Sequence, residues 1–144
     1  MRPRIASRRT SRELALRALY QIDVGKASPE EAIQAVSDAE RYADETLAFA
    51  RELVLGVAEH GGRIDSVIQK YARDWSLDRM ADVDRNILRL AMYELLYLPD
   101  IPPSVSVDEA VELAKKYSTA ESGRFVNGIL GTVISNLEDE RLQP

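Results

Sequence analysis

The sequence predicts an all-α fold, and three observations predict it. Apolar residues recur three and four positions apart along nearly the whole chain. No stretch sustains the apolar–polar alternation of a half-buried strand. Capping signals, glycines and prolines fall at helix-length intervals, cutting the chain into about seven amphipathic segments.

The first segment runs over about 11–24, with Leu14, Ala18, Leu19 and Ile22 as its apolar stripe and Gly25 ending it. Ser28-Pro29-Glu30-Glu31 opens the second: Ser28 caps, Pro29 suits the first helical position, and Glu31 closes a capping box. The third runs over about 44–60, with Leu47, Ala50, Val54 and Val57 on one side, and Gly61-Gly62 interrupts it. A fourth carries Ile64, Val67, Ile68 and Tyr71. The fifth, about 83–98, is apolar almost all round, as a helix at the centre of a bundle should be. Asp100-Ile101-Pro102-Pro103 must break it. Ser106-Val107-Asp108-Glu109 reads as a second capping box that starts the sixth helix, and the polar linker 118–123 ends it. The last helix carries Val126, Ile129, Leu130, Val133 and Leu137. Within it, Asn127-Gly128 sits at helical spacing and reads as a place where a small residue lets helices approach closely. Two sub-bundles are expected, divided near Gly61-Gly62 or near Trp75.

The 144 residues suit a single domain spanning 1–144 with its own core. No apolar run approaches the ~18 residues of a membrane span, and no signal-peptide pattern follows the basic start. The expectation is a soluble cytoplasmic protein with no membrane partner. Charge is unevenly distributed. Residues 1–17 hold six arginines against Glu13, a net +5 in a chain whose total is −5, which leaves −10 on the rest. That is a basic N-terminal arm, about 1–12, on an acidic body. Arg8, Arg9 and Arg12 would share one helical face, extended by Arg2 and Arg4. Guanidinium groups fork onto phosphates and stack on bases, so the arm suits nucleic acid; a solvated tail has the same composition.

Catalytic residues are scarce. The absence of cysteine excludes disulfides and thiolate metal sites. His60 is the only histidine, which excludes histidine dyads, and its place at a helix end reads as a cap against the helix dipole. Asp108, Glu109 and Glu112 read as capping and solvated-face residues, and Asp82 and Asp84 as acids at a helix start. Tyr71 and Trp75, beside Lys70 and Arg73, suit base stacking or a core, with the core favoured for Trp75. A binding protein is expected, neither an enzyme nor the holder of a metal or cofactor.

Three segments carry a resemblance. They are Arg8-Arg9-Thr10-Ser11-Arg12-Glu13-Leu14-Ala15-Leu16-Arg17-Ala18-Leu19-Tyr20, then Trp75-Ser76-Leu77-Asp78-Arg79 with Val83-Asp84-Arg85-Asn86-Ile87-Leu88-Arg89-Leu90-Ala91-Met92-Tyr93-Glu94-Leu95. The third is Ser106-Val107-Asp108-Glu109-Ala110-Val111-Glu112-Leu113-Ala114-Lys115-Lys116-Tyr117, closing with Arg124-Phe125-Val126-Asn127-Gly128-Ile129-Leu130. In order and spacing they closely resemble the NusB family of transcription antitermination factors, over almost the whole chain.

The resemblance implies two helical bundles packed side by side. It implies binding to the boxA element of nascent RNA together with NusE, a small-subunit ribosomal protein. That complex would help RNA polymerase read through terminators, notably in ribosomal RNA operons. Carried over by position, the arginine-rich RNA-binding start falls on Arg8, Arg9 and Arg12, with Arg4 ahead of them. Thr10 stands where the family often has a further basic residue. The loop before Phe125 brings Glu121, Ser122 and Arg124 near RNA, with the Glu121 carboxylate opposing phosphate. The NusE-facing surface falls on Tyr20, Asp84 and Arg89. Gly131 replaces the family's usual Asp. A NusB-like domain also begins some RNA cytosine methyltransferases, but the Rossmann-type domain those enzymes need is not expected in this chain. A helical scaffold binding only protein is the other alternative.

Overall fold

The computed structural model describes residues 7–143, so Arg2 and Arg4 lie outside the described residues. The described residues form eight α-helices and one short 3-10 turn, with no strand. They fall into two units, the first ending at Glu59 and the second beginning at His60. Of the two expected dividing points, Gly61-Gly62 lies beside this boundary; Trp75 lies well inside the second unit.

In the first unit, α1 (Arg8–Asp23) lies against α2 (Pro29–Ser37) and α3 (Asp44–Glu59). Ser7 caps α1, its Oγ accepting from the Thr10 amide at 2.9 Å, so the helix starts a turn earlier than the periodicity indicates. Leu14, Ala15, Ala18, Ala32, Leu53 and Val54 are buried in the core of this unit. The expected cap at Ser28 is present, with the Glu31 amide donating to its Oγ at 3.2 Å. Beyond α1, Lys26 takes the left-handed backbone conformation, φ 58°, and Gly25 does not. Gly25 answers a different need: a Cβ there would lie 2.8 Å from the Gln21 carbonyl oxygen.

The second unit holds α4 (Gly61–Tyr71), the 3-10 turn Leu77–Arg79, α5 (Asp82–Tyr97), α6 (Pro103–Tyr117), α7 (Ala120–Ser135) and α8 (Leu137–Leu142). As expected, α5 is central: it touches α4, α6, α7 and α8, and Ile87, Leu88, Leu90, Met92 and Leu95 are essentially inaccessible. The sixth helix departs from expectation. It starts at Pro103, with its fixed φ at the first helical position, and Ser106 is no cap. Ser106 is buried within the helix, and its hydroxyl donates to Glu94 Oε1 at 2.9 Å, satisfying a carboxylate buried on α5. The expected linker 118–123 shrinks to Ser118 and Thr119, because Thr119 caps α7 by accepting from the Ser122 amide.

Gly128 is exposed and a Cβ there would meet nothing within 4 Å, so no helix approaches it. The close approach on α7 is at Gly123, where a Cβ would lie 3.1 Å from Lys115 Cγ on α6. Gly131 is equally open, so the Asp usual at that position in the family would fit. Gly128→Ala and Gly131→Ala should each raise stability by about 0.5–1 kcal/mol, by restricting the unfolded chain. Gly123→Ala should gain less, because Lys115 must give way. Thermal melts of the three variants, followed by circular dichroism, test this ordering.

Candidate nucleic-acid interface

The N-cap at Ser7 places Arg8 and Arg9 in the first turn of α1, where both are exposed. Arg12, one turn on, is only 4% exposed. The expected single surface patch is therefore corrected: two arginines face outward and the third is buried. The cause is the pairing of α1 with α3. The Ser11 hydroxyl donates to the Thr46 carbonyl at 2.8 Å, and the Ser7 amide to Thr46 Oγ1 at 3.2 Å, drawing the two helix starts together. Phe49, one turn further along α3, then lies under the arginines. The guanidinium carbon of Arg8 is 4.2 Å from its ring centroid, and that of Arg12 is 5.6 Å away. A groove of about 300 Å³ runs alongside, lined by Ser7, Arg8, Ser11, Glu45, Thr46 and Phe49.

A second group of the expected residues gathers in the other unit. A pocket of about 220 Å³ is lined by Trp75, Arg79, Asp84, Glu121, Ser122 and Phe125, among others. Trp75 is 52% exposed and meets Phe125 edge-on at 6.4 Å, so the favoured core reading is overturned. Its segment leaves α4 before the chain turns into α5, and the indole rests against α7 from outside. Asp84 is 8% exposed; its Oδ2 accepts from the Ser122 hydroxyl at 3.0 Å, while the buried Oδ1 has no hydrogen-bond partner. Ser122 is equally buried, with Ser118 Oγ at 2.8 Å and Thr119 Oγ1 at 3.2 Å. It is a structural knot rather than a loop residue facing outward. Glu121 and Arg124 are exposed on the first turns of α7, so the segment expected to be a loop is helical.

Of the residues expected to face a protein partner, Tyr20 is 42% exposed on α1. Arg89 forks onto Asp65 of α4, with Nε to Oδ1 at 2.8 Å and Nη2 to Oδ2 at 3.1 Å. His60 makes no side-chain cap bond to α4; its ring stacks on Tyr97 with centroids 4.0 Å apart. Tyr71 donates to the buried Glu140 carboxylate of α8, which also receives Lys70. The hydrogen bond that Lys70 donates to Glu140 raises the Lys70 pKa, and burial is the main cause of the raised pKa of Tyr71. Among the described residues, no group of three or more His, Cys, Asp or Glu is arranged to hold a metal ion. No helix among them is long and apolar enough to cross a membrane. Phe49 escaped sequence reasoning because it lies outside the stripe read for its helix, and a lone aromatic residue carries no sign of what lies above it.

Comparison with known proteins places these features in a family. The family model described as NusB family matches residues 9–135. The transcription antitermination protein NusB of Desulforamulus reducens is 48% identical over 132 residues, covering 92% of each chain. The solved structure of T. maritima NusB superposes with a TM-score of 0.85 at 40% identity, covering 91% of this chain and 92% of that one. A chain from the crystal structure of antitermination factors NusB and NusE in complex with dsRNA gives a TM-score of 0.82 at 32% identity. That match covers 89% of this chain and 96% of the other.

Proposed function

The chain belongs to the NusB family, and from that premise we propose that it is a transcription antitermination factor acting in the cytoplasm on nascent RNA. It binds boxA-like RNA, notably of ribosomal RNA operons, together with a NusE-type ribosomal protein, as part of an antitermination complex on RNA polymerase. The observation that carries the RNA reading is the pair Arg8 and Arg9, exposed at the start of α1 on an otherwise acidic protein. Two cations on an acidic body favour phosphate locally while discouraging indiscriminate attachment elsewhere. Arg4, outside the described residues, extends this arm in the proposal. Arg124 with Glu121 forms a second RNA-facing edge, and Ser122 supports it from within. In the first unit, Tyr20 is the exposed residue offered to the NusE-type partner; in the second, Asp84 and Arg89 are proposed for the same partner through α5, which they hold against Ser122 and Asp65.

A gel-shift with boxA-like RNA, with and without a purified NusE-type protein, tests the proposal. RNA binding that strengthens with the partner and weakens steeply with salt is expected. A chain that binds the partner but no RNA at low salt would instead be a protein-only scaffold.

The exposed Glu121 carboxylate should oppose RNA phosphate. Glu121→Gln should tighten RNA binding at low salt by about 0.5–1 kcal/mol, and the gain should shrink as salt screens it. Thr119, not Glu121, supplies the side-chain cap of α7, so melting should change little. Flat affinity with lowered melting would remove Glu121 from the interface.

A further inference from the structure

We propose that Phe49 is the positioning residue of the arginine face: its ring carries the Arg8 guanidinium and presets it for an RNA nucleotide, an inference that rests on the RNA-binding reading above. The guanidinium carbon lies 4.2 Å from the ring centroid, well inside the ~6 Å reach of a cation–π contact. Phe49 is buried, and its helix is held to the start of α1 by the bonds to Thr46 from Ser7 and Ser11. The ring's place is thus set by the protein's own hydrogen bonds.

An unsupported arginine must surrender rotamer freedom when it grips RNA; one resting on a fixed ring has surrendered part of it already. The electron-rich ring face also offsets the repulsion between Arg8 and Arg12, one turn apart, with Arg12 5.6 Å from the same centroid. With its inner side on Phe49, the exposed guanidinium keeps its outer side and N–H edge for a base or a phosphate oxygen. Glu45 lines the adjoining groove and repels phosphate from it, so RNA meets the outer side of Arg8. A lysine at position 8 would keep the charge but lose the planar fork.

The test combines binding and resonance measurements on the full chain. Phe49→Leu should weaken binding of boxA-like RNA about two- to tenfold, because the guanidinium is no longer preorganised. In an Arg8→Ala background the same change should have no effect, and Phe49→Tyr, which keeps the ring, should bind like the parent. In the RNA-free protein, the Arg8 side-chain protons should be shifted upfield by the ring, and Phe49→Leu should abolish that shift. Equal weakening with and without Arg8 would make Phe49 merely structural and overturn the proposal. So would ordinary arginine resonances for Arg8 in the parent, a readout that stands even if Phe49→Leu folds poorly. Failure of the parent chain to bind RNA, with the ring shift present, would overturn the RNA reading and leave the platform geometry standing.

Discussion

Asp84→Lys should destabilise the second unit by about 3–5 kcal/mol, a large share of the ~5–15 kcal/mol that holds an ordinary domain together. Asp84 is buried in the first turn of α5, where its carboxylate accepts from the Ser122 hydroxyl at 3.0 Å. A lysine there replaces an acceptor with a buried cation and leaves Ser122 without that partner. It also places positive charge against the positive end of the helix dipole. Asp84→Asn keeps the size and an acceptor oxygen, and should cost about 1–2 kcal/mol. Denaturant unfolding followed by circular dichroism measures both. A charge-reversed protein as stable as the parent would show that the carboxylate is dispensable to α5 and α7. By position in the sequence Asp84 reads as a helix-start acid on a partner-facing surface, and its burial and the Ser122 bond correct the exposure that reading implies.

Arg8→Ala combined with Arg9→Ala should cost about tenfold or more in RNA affinity per arginine at low salt, since each guanidinium removed takes a charge-assisted hydrogen bond with it. The slope of log affinity against log salt should become shallower by about 1.4, that is, by about 0.7 for each single-strand phosphate no longer neutralised. Both side chains are exposed, so melting should barely move. Arg12→Ala should behave in the opposite way. Arg12 is buried near Phe49, so its removal should lower the melting temperature and leave the salt slope almost unchanged. Fluorescence anisotropy over a salt series, paired with thermal melts, separates the two. An unaltered slope in the double variant would take α1 out of the RNA interface.

The helices were legible because their signals are local. Ser28-Pro29 marks the start of α2, and the nearly continuous apolar run from Ile87 to Leu96 marks the central α5. The boundary at Gly61-Gly62 was legible as an interruption, and the basic start was legible as charge. Some local signals nonetheless had two solutions. Ser106-Val107-Asp108-Glu109 has the form of a capping box, yet Pro103 starts the helix three residues earlier and frees Ser106 to bond Glu94.

Apart from Phe49, the residues of the candidate site were legible as a set and not as an arrangement. The sequence by itself determined that this is an all-helical chain of the NusB type with an arginine-rich start. The likeness to the NusB family rests on the order of the quoted motifs; the helices and the basic start depend on residue type and on spacings of three and four, which local backbone geometry converts directly into helix faces. Tertiary structure alone decided that Arg12 turns inward while Arg8 rests on Phe49, that Asp84 is tied to Ser122, that Arg89 is forked onto Asp65, and that Trp75 stands exposed. The physical reason is the range of the interactions. Periodicity tells which residues of one helix share a face, but a charged or aromatic side chain is buried, paired or exposed according to the residue opposite it. That residue arrives from another helix, 24 positions away for Arg89, 38 for Asp84 and 41 for Arg8, and only the folded chain brings it there.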